Sequence, residues 1–547
     1  MDNAQEKLLY EHLGGDALSY LLAADGDLLR KRIEDPTNNS LNYLQEQVLV
    51  QLVSLDGQFG GWHETGNSTG EWSTRLATRQ DNGTRTSLGN TIRELSGGEL
   101  QTVPSGLRPV DTKVIEIALE NYPGMIVKES DDPMDRIMRL PSMRYKNLLI
   151  EEFEKILVED ADFKKLFTKK DDNSGWSGFS MRSSGQGSGH HVWGFADTLV
   201  NSGLSYAKQK TDVPTPQELI DGILLAIGKI RLAINGKPTT ISARIGLTGM
   251  KFPDGVDEMD LGWAKIRRTD STDERFVKAT ALTGQLTGTN HKGQTTVINY
   301  SGDLVAELEI PYAIEIGEHS MGEFSENLRV GMRKTEEVIE NLRLGLLLAY
   351  PDDKLVIHTS WQVTLDPLTQ YHGAGWNDVA SAVNLMPTLL TRSQVTNWTK
   401  WATLIGTHRI PTVSVAIRRM LATVGERRTP EDILIDAVIV WENLFGARTE
   451  TTLRVTSSLA WLLGNNAKDR LEKQAIYKKI YEFRSQVVHG NPKIDEKKLN
   501  EYSQDATKIS IATLATLFGK RTDLLIHKSS EERSVAIIHQ GNTKSSI

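Results

Sequence analysis

The sequence predicts a two-part protein, in which a mixed α+β region over residues 1–385 precedes an all-α helical bundle over residues 386–520. Two observations support this division. Alternation of apolar and polar residues, typical of half-buried strands, occurs only before residue 366. Beyond residue 392, apolar residues instead recur at every third or fourth position, as on one face of a helix. Residues 521–547 are mostly polar, and we expect them to form a C-terminal tail.

Helical and strand patterns are interspersed along the first part. Helical periodicity appears in the segments 7–22, 41–55, 144–167, 216–234 and 324–349. Strand-like alternation appears in the segments 239–247, 295–300, 304–316 and 355–365. We expect this region, whether it forms one domain or two, to act as a sensor or regulator.

Two segments of the first part contain few apolar residues, namely 57–108 and 171–194. Such segments commonly form long surface loops, which often carry recognition. The second segment contains glycines at 185, 187 and 189 before His190, but it lacks the last glycine of a dinucleotide-binding fingerprint and follows no predicted strand. We therefore expect two loop-rich insertions and no cofactor site.

The second part predicts a series of helices. The first begins near Ser393, and the second covers 413–424. The third has a strong start signal, with Thr429 at the N-cap and Pro430 at the first helical position. Residues 433–445 are apolar nearly all round, so this helix should be central and buried. Three more helices follow, over 450–463, 471–488 and 499–517.

The fifth helix of this series carries the residues that most strongly suggest chemistry. Arg484 stands in a row of apolar residues, where a guanidinium needs a carboxylate, a phosphate or a partner chain to offset its desolvation. His489 follows at the point where Gly490 and Pro492 should end the helix. The two residues lie about 140° apart around a regular helix. We expect either the helix end or a two-fold dimer to bring them together.

Several short motifs occur in order along this part, at 427–432, 434–436, 441–446, 450, 454 and 483–490. The series resembles the HEPN family, of the Apea-like type, and the resemblance covers about the last third of the chain. It implies a dimeric helical bundle and, in many members, a metal-independent endoribonuclease of bacterial anti-phage (abortive infection) or toxin systems. The resemblance makes Arg484 and His489 the catalytic residues. Ser485 stands where many active members have Asn, Asp or His.

An arginine and a histidine can cleave RNA without a metal ion, since RNA supplies its own nucleophile, the 2′-hydroxyl. His489 would transfer the proton. Arg484 would bind the scissile phosphate in a bidentate geometry and stabilise the charge of the transition state. The product would carry a 2′,3′-cyclic phosphate.

Four further residues are supporting candidates near this pair. Asp436 is expected to hold Arg454 or Arg484, and Glu442 is a second carboxylate available to Arg484. Glu450 is expected to pair with Arg454 one helical turn away.

Two other functions fit the same residues. If Arg484 makes only a structural ion pair, the bundle is a catalytically inactive dimerisation or docking module beside a ligand-sensing or partner-sensing region. Alternatively, the bundle binds nucleic acid without cleaving it. The net charge of −8 argues against broad nucleic-acid binding, so RNA contacts would come from local basic residues. The candidates are Arg418, Arg419, Arg427, Arg428, Lys478 and Lys479.

Composition excludes several classes of site and partner. The 547 residues include no cysteine, which excludes disulfides, thiolate metal sites and a cysteine nucleophile. No histidines stand at helical metal-binding spacing, so we expect no metal. No apolar run is long enough to span a bilayer, and no signal peptide is recognisable, so we expect a cytoplasmic protein. The expected partners are an RNA substrate, possibly tRNA, a second copy of the chain, and a phage-derived trigger or inhibitory partner.

Overall fold

A computed structural model describes most of the chain. The described residues are 3–35, 41–58, 68–77, 86–128, 148–167, 169–170, 177–183, 186–273, 286–289, 295–298, 303–316, 326–353, 355, 357–368, 373–376, 388–490 and 494–540. No helix in these ranges has the length and apolarity needed to cross a membrane.

The first 234 residues are mainly helical where the structure describes them. Their helices are α1 (Asn3–Leu13), α2 (Gly15–Leu22), α3 (Gly26–Glu34), α4 (Tyr43–Gln58), α5 (Ser68–Ala77), α6 (Leu88–Leu95), α7 (Pro109–Met125), α8 (Leu148–Glu159), α9 (Val192–Ala207) and α10 (Pro216–Ile234). The later helices are α11 (Glu326–Ala349), α12 (Arg392–His408), α13 (Ser414–Gly425), α14 (Pro430–Phe445), α15 (Thr451–Leu463), α16 (Ala467–Val488), α17 (Glu496–Lys520) and α18 (Ser530–Gln540).

The strands lie between residues 169 and 389. They are β1 (Lys169–Lys170), β2 (Ser177–Ser183), β3 (Gln186–His191), β4 (Thr240–Thr248), β5 (Met250–Lys251), β6 (Glu258–Asp260), β7 (Lys265–Arg268), β8 (Leu286–Thr289), β9 (Thr295–Ile298), β10 (Leu304–Pro311), β11 (Ile314–Ile316), β12 (His358–Thr364), β13 (Gly373–Trp376) and β14 (Thr388–Leu389). The predicted order is thus confirmed in outline: helices and strands in the first part, and helices alone from residue 390 through the described residues.

Several element boundaries follow directly from local sequence signals. Helix α10 coincides with the predicted segment 216–234, because Thr215 and Glu218 form a capping box and Pro216 takes the first helical position. The predicted helix over 7–22 is instead two helices. Gly14, with φ of +83°, adopts a left-handed conformation that ends α1 and redirects the chain into α2.

The expected loop-rich insertions contain regular structure. In the first, α5 and α6 bury Trp72 and Ile92, and the Trp72 indole donates a hydrogen bond of 2.9 Å to Asp56. In the second, β2 and β3 form an antiparallel hairpin, and β3 includes the glycine-rich stretch interpreted as a loop. The prediction was wrong there because a hairpin is held by backbone hydrogen bonds, which a Ser-Gly composition does not reveal.

A six-stranded antiparallel sheet, in the order β13-β12-β4-β10-β7-β6, separates two layers of helices. Alternate residues of β4 and β10, such as Ile245 and Ala306, face a core shared with α11 and α12. Val305, Trp361 and Val363 occupy the opposite face, where they pack with residues of α9 and α10. Both faces of this sheet are therefore covered, as the near-continuous burial along β4 indicates.

Helix α11 belongs to two cores at once. Val338, Leu342 and Leu346 pack against the sheet. Leu344 and Leu347 pack with the C-terminal helices. The core of the C-terminal bundle therefore includes a helix that precedes the boundary predicted at residue 386.

The predicted polar tail is largely a helix packed on the bundle. In α18, Arg533 and Ile537 are fully buried, and Ser534 shares a hydrogen bond of 3.0 Å with Ser458 of α15. The polar composition led to the wrong prediction of a tail, because one of the polar residues, Arg533, belongs to the core. Its guanidinium donates to the carbonyl oxygens of Leu444 at 3.0 Å and Asn443 at 3.2 Å. These carbonyls end α14, where a cation is favoured by the helix dipole.

Burial lowers the pKa of Arg533 to about 10, which still leaves it protonated at neutral pH. We expect Arg533→Ala to lower the free energy of unfolding by about 3 kcal/mol, because it opens a cavity and leaves the terminal carbonyls of α14 without donors. Urea unfolding measures this. Val535→Ala, at a 41% exposed position of the same helix, should cost under about 0.5 kcal/mol. Equal shifts for the two variants would contradict the packing of α18.

Candidate active site on the last helical turns of α16

Helix α16 is anchored to the centre of the bundle by its middle turns. Asn466 caps its N-terminus by accepting the Asp469 N–H at 3.0 Å. Tyr477 and Ile480 are buried, and the Tyr477 ring packs against Trp441 of α14 with a centroid distance of 6.1 Å. The last turns of α16 are thereby held at a fixed position beside α14.

The helix ends where the sequence predicted. His489 is the C-cap residue, and its N–H donates to the Ser485 carbonyl at 3.1 Å. Gly490 has φ of +65°, a left-handed conformation that a glycine adopts without strain. The His489 side chain is exposed at this end of the helix.

Arg484 lies on α16 in the turn before His489, and its side chain faces α14. Its Nη2 is 3.4 Å from Glu442 Oε2, longer than a typical charged hydrogen bond of about 2.8 Å. The Arg484 side chain is 20% exposed, whereas its buried Nε–H has no acceptor among the described residues. The guanidinium is thus oriented by a carboxylate but keeps unused donors, which a phosphate could accept.

Tyr481 completes this arrangement. Its hydroxyl donates a hydrogen bond of 2.5 Å to Glu442 Oε1. Burial, together with this bond, holds the pKa of Tyr481 well above its ordinary value, so the phenol stays protonated and Glu442 stays the acceptor. Sequence analysis did not single out Tyr481. The signal was its place three residues before Arg484 in the same helical row.

Arg484 and His489 have different surroundings in the structure. Within the described residues, no hydrogen bond or ion pair joins them, and Arg484 turns toward Glu442 while His489 is exposed at the helix end. Ser485 is half-buried between them along the helix, and its carbonyl is used by His489. That the helix end brings the pair to one phosphate stays a prediction. The two-fold dimer stays a prediction.

Asp436 serves a different pair of cations from the one expected. It is 4% exposed and accepts hydrogen bonds from Arg419 at 2.8 Å and Arg427 at 2.7 Å. The prediction that it holds Arg454 or Arg484 was wrong, because Asp436 projects toward α13 rather than α16. Asp436 thus ties α14 to Arg419 within α13 and to Arg427 in the connection between the two helices.

The expected Glu450 and Arg454 pair is also absent from the described ion pairs. Arg454 instead lies 3.5 Å from Glu531 of α18. Glu450 is exposed and has φ of +53°, so it stands at the N-cap of α15 outside the helix and its carboxylate does not follow the one-turn spacing. Of the five supporting candidates, Ser485 and Glu442 lie beside the catalytic candidates along α16 and α14. Asp436 and Arg454 make other ion pairs, and Glu450 is exposed at the start of α15.

A cavity of about 570 Å³ lies between the first turns of α15 and the first half of α16. Its walls include Thr452, Thr456, Gln474 and Lys478. Among the described residues, no cluster of three or more His, Asp or Glu side chains is arranged to hold a metal ion.

Comparison with known proteins adds no relative to this description. No family model, no curated protein and no solved structure matches the chain.

The placement of Asp436 leads to a prediction. We expect Asp436→Asn to lower the free energy of unfolding by about 1 to 2 kcal/mol, since it weakens two charged hydrogen bonds while leaving both arginines half-exposed to water. Chemical unfolding measures the loss. Glu431→Gln, at an exposed acid in the first turn of the same helix, should change stability by under about 0.5 kcal/mol. A neutral Asp436→Asn would show that this contact is not structural.

Proposed function

We propose that the chain is a metal-independent endoribonuclease of the HEPN type, with Arg484 as the phosphate-binding residue and His489 as the proton-transfer residue. The observation that carries this proposal is the state of Arg484. A guanidinium that is 20% exposed and makes only a long contact of 3.4 Å to Glu442 is suited to bind an anion that enters from outside.

The proposed reaction needs only groups of the protein and the RNA. The imidazole of His489 takes the proton of the 2′-hydroxyl, whose oxygen attacks the adjacent phosphorus. The bond from phosphorus to the 5′-oxygen breaks, and the imidazolium of His489 gives the proton it has taken to that leaving oxygen. Arg484 stabilises the negative charge that builds up on the phosphoryl oxygens. The products are a 2′,3′-cyclic phosphate and a 5′-hydroxyl.

We propose that a two-fold dimer completes the site, with Arg484 of one chain and His489 of the other at one phosphate. The support is geometric. The two residues point to different sides of one α16, and the exposed apolar Val488 lies between them at the helix end.

The biological setting proposed is a bacterial defence or toxin system in the cytoplasm, with the region before α11 restraining the nuclease until a trigger arrives. A bundle freed of this region must keep α11, since Leu344 and Leu347 are part of its core. A truncation that also removes α11 would expose these residues. A change in nuclease activity could then come from misfolding of the bundle rather than from loss of the restraint.

The first test is cleavage of total RNA and a tRNA pool by the full chain in EDTA, with analysis of product ends. We expect cyclic-phosphate products, and we expect His489→Ala to reduce their rate by at least about 10²-fold, the usual contribution of proton transfer. The matched control is His539→Ala, which removes another exposed histidine from the last turn of a helix, α18. Equal loss in both variants, or products that persist in His489→Ala, would contradict the role of His489.

Arg484→Lys separates the proposed function from a structural role. Lysine keeps the charge but loses the bidentate geometry, so cleavage should fall by at least about 10-fold while the unfolding midpoint changes little. Arg470→Lys is the control, because Arg470 lies on the same helix and stacks over Trp461 at 3.9 Å. If Arg484→Lys loses stability and no activity, Arg484 is a structural ion.

One observation favours a second candidate function, an inactive dimerisation or docking module. Glu442 already provides Arg484 with a carboxylate partner, and Tyr481 fixes that carboxylate. Absence of cleavage by the native chain, combined with stable dimers, would support this function.

A further inference from the structure

The cavity between α15 and α16 has the size and lining of a ligand site. Its volume of about 570 Å³ lies in the range of pockets that hold small organic groups. The residues Thr451, Thr452 and Thr456 of α15 line one side, and Leu471 and Ala475 of α16 form an apolar wall on the other. A flat group with a polar edge and an apolar face would match both sides.

The polar groups of the cavity can distinguish hydrogen-bond donors from acceptors on the polar edge of such a flat group. Gln474 donates its amide to Ser457 at 2.7 Å, which fixes the side chain and leaves its carbonyl oxygen as an acceptor. Glu450 adds a carboxylate at the rim, and Lys478 adds a cation. Acceptors of this kind recognise the exocyclic amino groups of nucleobases, and the cation suits a neighbouring phosphate.

The cavity and the candidate active site share helix α16. Lys478 lines the cavity, and Tyr481 and Arg484 lie on the following turns, where both contact Glu442. Along α16, Lys478 precedes Arg484 by six residues, or about 9 Å of helix. A stacked strand advances about 3.4 Å for each nucleotide and an unstacked strand advances further, so at most about three nucleotides would span this length along the helix axis.

We propose that this cavity is a nucleobase subsite for single-stranded RNA, which holds an unstacked base of the same strand whose phosphate lies at Arg484. This inference rests on the proposed function and names how its substrate is recognised. The subsite would determine sequence preference a few nucleotides from the cut, because base edges rather than phosphates carry the sequence.

The test measures RNA binding by the full-length His489→Ala chain, so that cleavage does not interfere. Fluorescence anisotropy reports the affinity for labelled homopolymers of A, C, G and U. Ala475→Trp, added to this chain, fills the cavity from an exposed helix position. The control is Ile476→Trp, which adds the same side chain one residue on, outside the cavity lining and at a 49% exposed site. A second variant, Leu471→Glu, alters the wall at a 69% exposed residue that should not affect folding.

We expect Ala475→Trp and Leu471→Glu to weaken binding of the preferred homopolymer at least about tenfold and to reduce differences among the four, while Ile476→Trp leaves both unchanged. Unchanged affinity in both cavity variants would overturn the subsite and leave the proposed RNA binding intact. A change in dimerisation without a change in RNA affinity would also overturn it, and would place a second copy in the cavity. If the His489→Ala chain binds no RNA at all, the proposed function fails, and the subsite fails with it.

Discussion

The close packing of α11 against α12 is the contact on which the two halves of the structure depend. A Cβ on Gly345 would lie 2.9 Å from the Cα of Ala402, so the helices approach as closely as a glycine permits. The Trp398 indole donates to the Leu342 carbonyl at 2.9 Å, and Arg409 donates to Asn341 at 2.8 Å. Because α11 also packs on the sheet, this crossing fixes the bundle relative to the sheet.

The candidate site is built on the most buried part of the bundle. Trp441 and Glu442 are neighbours on α14, so one faces the core and the other faces α16. The Trp441 indole donates to Ser510 at 2.9 Å, which fixes the rotation of α14. That rotation places Glu442 beside Arg484 and Tyr481. The guanidinium is thus positioned by core packing, and its unused donors are a consequence of where the helix faces rather than of local sequence.

Most helices of the second part could be predicted because each carries an apolar row and some carry a start signal of their own. Thr429 and Pro430 mark α14, and Gly490 marks the end of α16. The ion pairs could not be predicted in this way. Several arginines lie near enough to Asp436 in the sequence to be its partner. The packing of α13 against α14 determines that the partners are Arg419 and Arg427. The helix α18 was missed because its buried positions include serine and arginine, which pattern analysis assigns to solvent.

By itself, the sequence determined the change from mixed helices and strands to helices alone, and the placement of Arg484 and His489 at the end of one helix, since caps and hydrophobic periodicity act over a few residues. Tertiary structure alone decided that α11 joins two cores, that α18 is part of the bundle and that Arg484 faces Glu442. These features depend on contacts between segments distant in the chain. Burial and hydrogen bonding there are properties of the packed surfaces, which no local pattern encodes.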